Sequence, residues 1–437
     1  MKKGPVILFI SIFLLASAPA RSEEDASRAL NKEELFRQIQ ILADSITLIT
    51  ADYVEPVKEK DLIYGAVQGM MNTLDGYSQF LDPESFKEIT EETKGEFGGV
   101  GISVGIRDGI LTVISPMEDT PASAAGILAG DKIVKISDKI TQDMQLDEAV
   151  RLLRGEPGTD VMLTILREDA QDLIEIKITR AIIKIDSVKD AAILDDGIAY
   201  IKIVEFQERT GRDLGKQVKD LIKKGASYLI LDLRNNPGGL LEAAVEVADQ
   251  FLDKGSLIVY TEGRYPDKRF DFIAKKDPEF GDIGLVALVN GGSASAAEIL
   301  AGAIKDNKRG LVVGVTTFGK GSVQTVIPMQ DDSALRLTTA EYFTPSGTGL
   351  MDKGMEPDIY VEAIKPADMD KSVPTDDDAD IFRKIDEVKK PVKDEKEEKD
   401  EALRERLVKD NQLATAVNIV KGSRVISLSS AEKIRQK

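Results

Sequence analysis

The residues best suited by type to do chemistry are two serines in the run Ser293-Ala294-Ser295-Ala296-Ala297-Glu298. The run follows an apolar stretch, Leu285-Val286-Ala287-Leu288-Val289, and an Asn290-Gly291-Gly292 turn, and it opens a helix-forming stretch. Either serine can cap that helix. Either can also be a nucleophile, because backbone N–H groups and the positive helix end face the same point. A nucleophilic serine needs a base, and the chain has no histidine. Lysine can serve if burial or nearby positive charge lowers its pKa from about 10.4 toward roughly 7–8. A shift of that size costs about 4 kcal/mol. Lys320 is the candidate, because it follows Thr316-Thr317-Phe318-Gly319 in a segment of small and apolar residues.

Other absences narrow the chemistry further. There is no cysteine and no tryptophan. A Ser-His-Asp triad, a Cys-His pair, a disulfide and zinc held by His or Cys are therefore excluded. So is haem or iron–sulfur chemistry ligated by those residues. Two short matches mislead. Gly314-x-x-x-x-Gly319-Lys320 begins like a P-loop, but Gly321 stands where Ser or Thr would bind magnesium, and residues 322–327 read as a strand. Ser430-x-x-Lys433 lies in a polar tail without companion motifs.

The elements that must hold these residues follow from periodicity. Residues 185–365 alternate strands and helices. Tyr228-Leu229-Ile230-Leu231-Asp232-Leu233 reads as a buried strand, followed by the turn Arg234-Asn235-Asn236-Pro237-Gly238-Gly239 and a helix over 240–252. The serine run repeats that strand–turn–helix grammar, and Leu311-Val312-Val313 is a further strand. Ligands in such folds sit at the turns after strand C-termini. Residues 93–168 read instead as a small domain of short strands and two helices. One helix begins near Thr120-Pro121-Ala122, and the other carries Leu146, Ala149, Val150 and Leu153 on one face. Residues 31–92 read as a helical arm, with Leu35, Ile39, Leu42 and Ile46 at helical spacing. Residues 366–437 are polar, with an unbroken charged run over 393–401 and a terminal helix around Leu413, Ala416, Val417 and Ile419.

The N-terminus predicts export. Lys2 and Lys3 precede an apolar run over residues 6–16, and Ala18-Pro19-Ala20 supplies an A-x-A cleavage site, so residues 1–20 read as a signal peptide. Without cysteine there is no lipid attachment site. Of the 437 residues, 58 are Lys or Arg and 76 are Asp or Glu, a net charge of −18. That balance argues against nucleic acid as a partner.

Three motifs in order resemble the C-terminal processing peptidase (tail-specific protease) family across nearly the whole chain after residue 20. They are Leu231-Asp232-Leu233-Arg234-Asn235-Asn236-Pro237-Gly238-Gly239, the serine run, and Thr317-Phe318-Gly319-Lys320-Gly321-Ser322-Val323-Gln324. The resemblance implies a multidomain α/β fold: a peptidase core of βαβ units, crotonase-like, over 169–365, with a PDZ domain at 93–168 and helical arms at 21–92 and 366–437. It implies Ser295 as nucleophile, Lys320 as base, Gln324 orienting the lysine, and an oxyanion hole from the N–H groups of Ala296 and Gly238. No cofactor is implied. Ser293 remains the alternative nucleophile.

The same resemblance makes Gly99-Val100-Gly101-Ile102 the loop that binds a substrate's C-terminal carboxylate. The tail would add as a strand beside Ile102 and rest on the helix bearing Leu146 and Val150. Arg167 is then a candidate relay from PDZ domain to catalytic site. Partners would be protein substrates held by their tails, with room for an adaptor protein, and the arms suggest a homo-oligomer. Periplasm or cell envelope is the expected location. Thr348 and Met351 depart from the family pattern, which has Arg and Gln there. Two rival readings stay open: a non-catalytic PDZ scaffold, and an acyl-CoA-handling enzyme of similar core.

Overall fold

The computed structural model describes residues 23–364, except 108, 168, 169, 171, 196, 266 and 267, together with 407 and 409–435. The expected leader and the charged run over 393–401 lie outside the described residues. No helix among the described residues is long and apolar enough to cross a membrane.

The N-terminal unit, up to Phe80, contains α1 (Glu23–Asp52) and α2 (Glu59–Met71). Pro56 lies in the break between them, and α2 then opens with Glu59 and Asp61 against its positive end. Apolar residues of α1 stay exposed, including Phe36 at 69% and Ile39 at 50%. The unit ends within the short strand β1 (Gln79–Leu81).

The second unit opens with α3 (Pro83–Lys94). Asp82 caps it through Ser85 N–H at 2.8 Å, Pro83 occupies the first turn, and Gly95 ends it at φ 69°. Next come β2 (Glu96–Gly99), β3 (Ile102–Arg107), β4 (Ile110–Pro116), α4 (Pro121–Ala124), β5 (Lys132–Ile136), β6 (Lys139–Ile140), α5 (Leu146–Leu153), β7 (Asp160–Leu166), β8 (Ile174–Thr179) and β9 (Ala181–Lys184). The antiparallel order is β3-β4-β5-β7-β8, and β2 pairs with β9 beside it. Val113, Ile133, Leu163 and Ile165 face Ala149 and Leu153 of α5 in one small core. Strand β8 completes this sheet beyond the expected edge of the small domain at residue 168, so the domain's own hydrogen bonding runs to Thr179.

The larger domain contains β10 (Val188–Asp195), β11 (Ile198–Ile203), α6 (Thr210–Lys223), β12 (Tyr228–Asp232), α7 (Leu241–Asp249), β13 (Leu257–Gly263), β14 (Arg269–Ile273), β15 (Gly284–Val289), α8 (Ala296–Asp306), β16 (Leu311–Gly314), β17 (Ser322–Pro328), β18 (Ala334–Phe343), β19 (Ile359–Tyr360) and α9 (Asn411–Arg435). Its main sheet runs β10-β11-β12-β15-β16-β19, parallel from β11 to β19. Both faces are covered, which is why its strands are nearly continuous apolar runs. Leu229, Leu231, Ala287 and Val289 face α6, α7 and α8. Ile230, Val286 and Leu288 point the opposite way and pack on Leu413, Ala416, Val417 and Val420 of α9. A second, antiparallel sheet contains β14-β13-β18, with β17 on β18.

Candidate active site

The chain leaves β15 at Val289, makes one tight turn and enters α8 at Ser295. Ser293 serves that turn. Its hydroxyl donates to Leu233 O at 2.8 Å, accepts from Asn290 N–H at 3.0 Å, and is fully buried. Its hydroxyl thus donates and accepts within the turn itself, and Ser293 does not line the cavity that Ser295 and Lys320 share. Ser295 caps α8 with φ 52° and ψ −115°, a conformation that costs a non-glycine residue about 1–3 kcal/mol. It persists because its neighbours leave no alternative. Its N–H donates to Glu298 Oε2 at 2.8 Å. On the other side stands Gly238, where an added Cβ would lie 2.7 Å from Ser295 Cβ and 3.2 Å from Ala296 N. A glycine is required there both for space and for φ 111°.

Glu298 joins the two halves of the site, and sequence reasoning passed it over. Its fully buried carboxylate accepts from Ser295 N–H, from Thr317 Oγ1–H at 2.5 Å, from Gly319 N–H at 2.8 Å and from Lys320 N–H at 2.9 Å. One side chain therefore sets the spacing between the serine that opens α8 and the loop that presents the lysine. The available signal was Ser295-x-x-Glu298, the sequence form of a capping box.

Ser295, Lys320 and Gln324 line one cavity of about 580 Å³. Burial, and then the positive charge of Arg336, hold the Lys320 ammonium below the ordinary lysine range. Gln324 lies on β17, and its amide donates to Thr338 Oγ1 at 2.9 Å and Ser322 Oγ at 3.2 Å. Its Oε1 is buried and accepts no hydrogen bond among the described residues. Glu92, Glu205 and Glu242 also face the cavity. Burial and the neighbouring Glu92 raise the Glu205 carboxyl. Tyr342, another lining residue, is pushed up to about 12 by burial and then Glu242, so its phenol stays protonated near neutral pH.

Two backbone donors near the serine are unclaimed. Neither Ala296 N–H nor Gly239 N–H makes a hydrogen bond among the described residues. The expected second donor, Gly238 N–H, is instead committed to Asn236 Oδ1 at 2.8 Å. Asn236 is itself locked, donating to Ile203 O at 2.9 Å and accepting Ala294 N–H on its carbonyl at 2.9 Å. Arg234, at the start of this turn, is gripped by two carboxylates, Asp232 and Asp410.

In the small domain, Val100, Gly101, Ile102 and Val150 line a separate cavity of about 110 Å³ with Phe97, Val104, Leu153 and Arg154. Gly99 and Leu146 lie outside its lining. Gly101 has φ 81°, and an added Cβ would meet Thr120 at 2.3 Å. Arg167 is held within that domain, with Nε 2.7 Å from Asp131 Oδ1 and Nη2 2.8 Å from Asp131 Oδ2. It also donates to Gly126 O at 2.9 Å. Thr348 bonds Ser346 through its hydroxyl, and Met351 packs its backbone on Gly321; neither side chain lines the catalytic cavity. The P-loop-like match fails in the fold as well, since residues 322–328 form a strand.

Comparison with known proteins agrees with this architecture. Residues 197–361 match peptidase family S41, 112–167 a PDZ domain, and 8–85 the N-terminal domain of the activating protease CtpB. The chain is 42% identical over 366 residues to a carboxy-terminal-processing protease of Bartonella bacilliformis, covering 83% of each. It is 37% identical over 354 residues to the carboxy-terminal processing protease CtpA of Bacillus subtilis, covering 81% of this chain and 74% of that one. Among solved structures, a photosystem II D1 C-terminal processing protease shares 29% identity at a TM-score of 0.44, covering 74% of this chain and 92% of that one. With that identity over that length, and with a PDZ domain preceding an S41 peptidase domain, this chain belongs to the carboxy-terminal processing proteases, a family of serine-type proteases.

Proposed function

We propose that the protein is an exported endopeptidase that captures protein substrates by their C-terminal tails and cleaves them with a Ser295/Lys320 pair. The observation that carries this reading is the cavity shared by a strained, cap-position serine and a lysine held below its usual range, beside an unclaimed Ala296 N–H. Neutral Lys320 takes the Ser295 proton as Oγ bonds to the scissile carbonyl carbon. The resulting oxyanion accepts from Ala296 N–H and from the 238–239 turn. Gly239 N–H is open to it, whereas Gly238 N–H must first leave Asn236. Lys320 then returns the proton to the leaving amine as the C–N bond breaks. Water, deprotonated by the same lysine, then bonds to the acyl carbon; the C–Oγ bond breaks, the new carboxyl end leaves, and Lys320 returns the proton to Ser295 Oγ. Gln324 Oε1, which accepts no hydrogen bond among the described residues, is the acceptor suited to orient the lysine.

Tail capture falls to the small-domain cavity. Val100 and Gly101 N–H donate to nothing among the described residues, so both can take a terminal carboxylate. Val104, Val150 and Leu153 would receive an apolar terminal side chain. A relay through Arg167 requires it to leave Asp131. The exposed apolar residues of α1 suit self-association. The N-terminal sequence supports a periplasmic or envelope location, and an adaptor remains a candidate partner.

The test is to incubate wild type and Ser295→Ala with exported proteins and sequence the new C-termini. Wild type should produce them, and Ser295→Ala should produce none while still binding a tail peptide. Equal cleavage by the variant would overturn the assignment.

A further inference from the structure

The C-terminal helix reaches the catalytic turn through one side chain. Asp410 lies just ahead of α9. Its carboxylate caps that helix through Leu413 N–H at 2.9 Å. The same carboxylate grips Arg234, with Oδ1 2.8 Å from Nη1 and Oδ2 2.7 Å from Nη2. Gln412 adds a contact from its Oε1 to Nη1 at 3.1 Å and is itself tied to Val361 O at 2.8 Å. The other edge of the guanidinium is held by Asp232, which also accepts Tyr200 O–H at 2.7 Å. The arginine side chain is only 14% exposed, so its charge is largely shielded from water and from salt.

Arg234 is the first residue of the turn that brings Gly238 against Ser295. Beyond Arg234 the turn is pinned by Asn235 to Asn290, by Asn236 to Ile203 and Ala294, and by Gly238 O, which accepts Phe206 N–H at 2.7 Å; Arg234 is the anchor that ties its first residue to the C-terminal helix. We propose that Asp410 is a positioning residue for catalysis, holding through Arg234 the 235–239 turn that faces Ser295. The C-terminal helix is then part of the active-site support, besides covering the apolar face of the main sheet. This rests on the Ser295/Lys320 reading.

The test separates the cap from the grip. Serine caps helices well but is too short to bridge two guanidinium nitrogens, whereas alanine does neither. Asp410→Ser and Asp410→Ala are compared in the full chain, with active sites titrated by a serine-directed fluorophosphonate. The expected result is a fall in kcat per titrated site of about tenfold in Asp410→Ser, the scale of a small misplacement of catalytic groups. KM should stay within twofold, and a tail-binding peptide should bind as in wild type. Affinity for a peptide boronate, which places an oxygen in the oxyanion position, should fall in parallel with kcat. If Asp410→Ala loses thermal stability but Asp410→Ser keeps wild-type kcat per site and boronate affinity, Asp410 is only a cap and the proposal is overturned. Ser295→Ala runs alongside: activity surviving there sinks the underlying reading, whereas an inactive Ser295→Ala beside a wild-type Asp410→Ser sinks this inference alone.

Discussion

Among the described residues, the small domain and the peptidase domain each leave a pair of backbone N–H groups unclaimed, and in each case a glycine with positive φ lies beside them. At the first, Val100 and Gly101 face a cavity of about 110 Å³ walled by Val104, Val150 and Leu153. At the second, Ser295, whose next residue is Ala296, and Gly239 line a cavity of about 580 Å³ together with Lys320, Arg336 and three glutamates. The donors are the same; the walls differ. Apolar walls around fixed donors suit binding of a chain end. Charged walls around a strained serine suit developing charge and proton movement. The support differs as well. Residues 296–304 of α8 are buried, and the Glu298 carboxylate accepts one hydrogen bond from Ser295 N–H and three from the loop bearing Lys320, so Ser295 and that loop are held to one another.

A matched pair of substitutions puts this comparison at risk. Gly238→Ala would push a methyl onto Ser295 at 2.7 Å and disturb the oxyanion turn. Its kcat should fall about 10²–10³-fold, the scale of a lost oxyanion donor, with tail binding intact. Gly101→Ala would press a methyl into Thr120. It should raise KM for a tailed protein about tenfold and leave kcat near wild type, because only capture is disturbed. If both variants damaged kcat alike, the two sites would not divide the work, and the small domain would be acting directly on the chemistry. A steady-state comparison of both variants on one tailed substrate decides it.

A smaller effect concerns stability. The folded state holds Lys320 below its unfolded pKa, so the ammonium destabilises the fold at pH values below the folded pKa. That penalty disappears as pH climbs through the folded pKa toward 10.5. Lys320→Met should therefore raise Tm near neutral pH by about 2 °C, since the lysine is half-exposed and screened. The gain should shrink at high pH. Thermal melts of the inactive variant across pH measure it.

Some of this was legible in the chain and some could not be. Helix α8 and the strands before it follow from uninterrupted apolar runs bounded by glycines, and the motifs place Ser295 and Lys320 close along the chain. Ser293 and Ser295 look alike locally, because the Ser293 bond that sets them apart goes to Leu233 O, 60 residues away. Glu298 was passed over in the sequence, because its contacts with Gly319 and Lys320 arise only when the loop folds back. Gly238 looked like a free donor until the fold placed Asn236 on its N–H. Helix α6 went unread, because polar residues surround its short stripe of Leu214, Val218 and Leu221. The spacing of Leu413, Ala416, Val417 and Ile419 marked a helix, yet nothing in it named the sheet face beneath.

The central claim is that a depressed lysine does the work of the absent imidazole. The most direct measurement is the pH dependence of kcat/KM for a tailed peptide, in wild type and Lys320→Ala. Wild type should rise with pH through an ionisation below the ordinary lysine range, and Lys320→Ala should lose that limb together with nearly all activity. A Lys320→Ala enzyme that keeps the same rising limb and a wild-type rate would contradict the account.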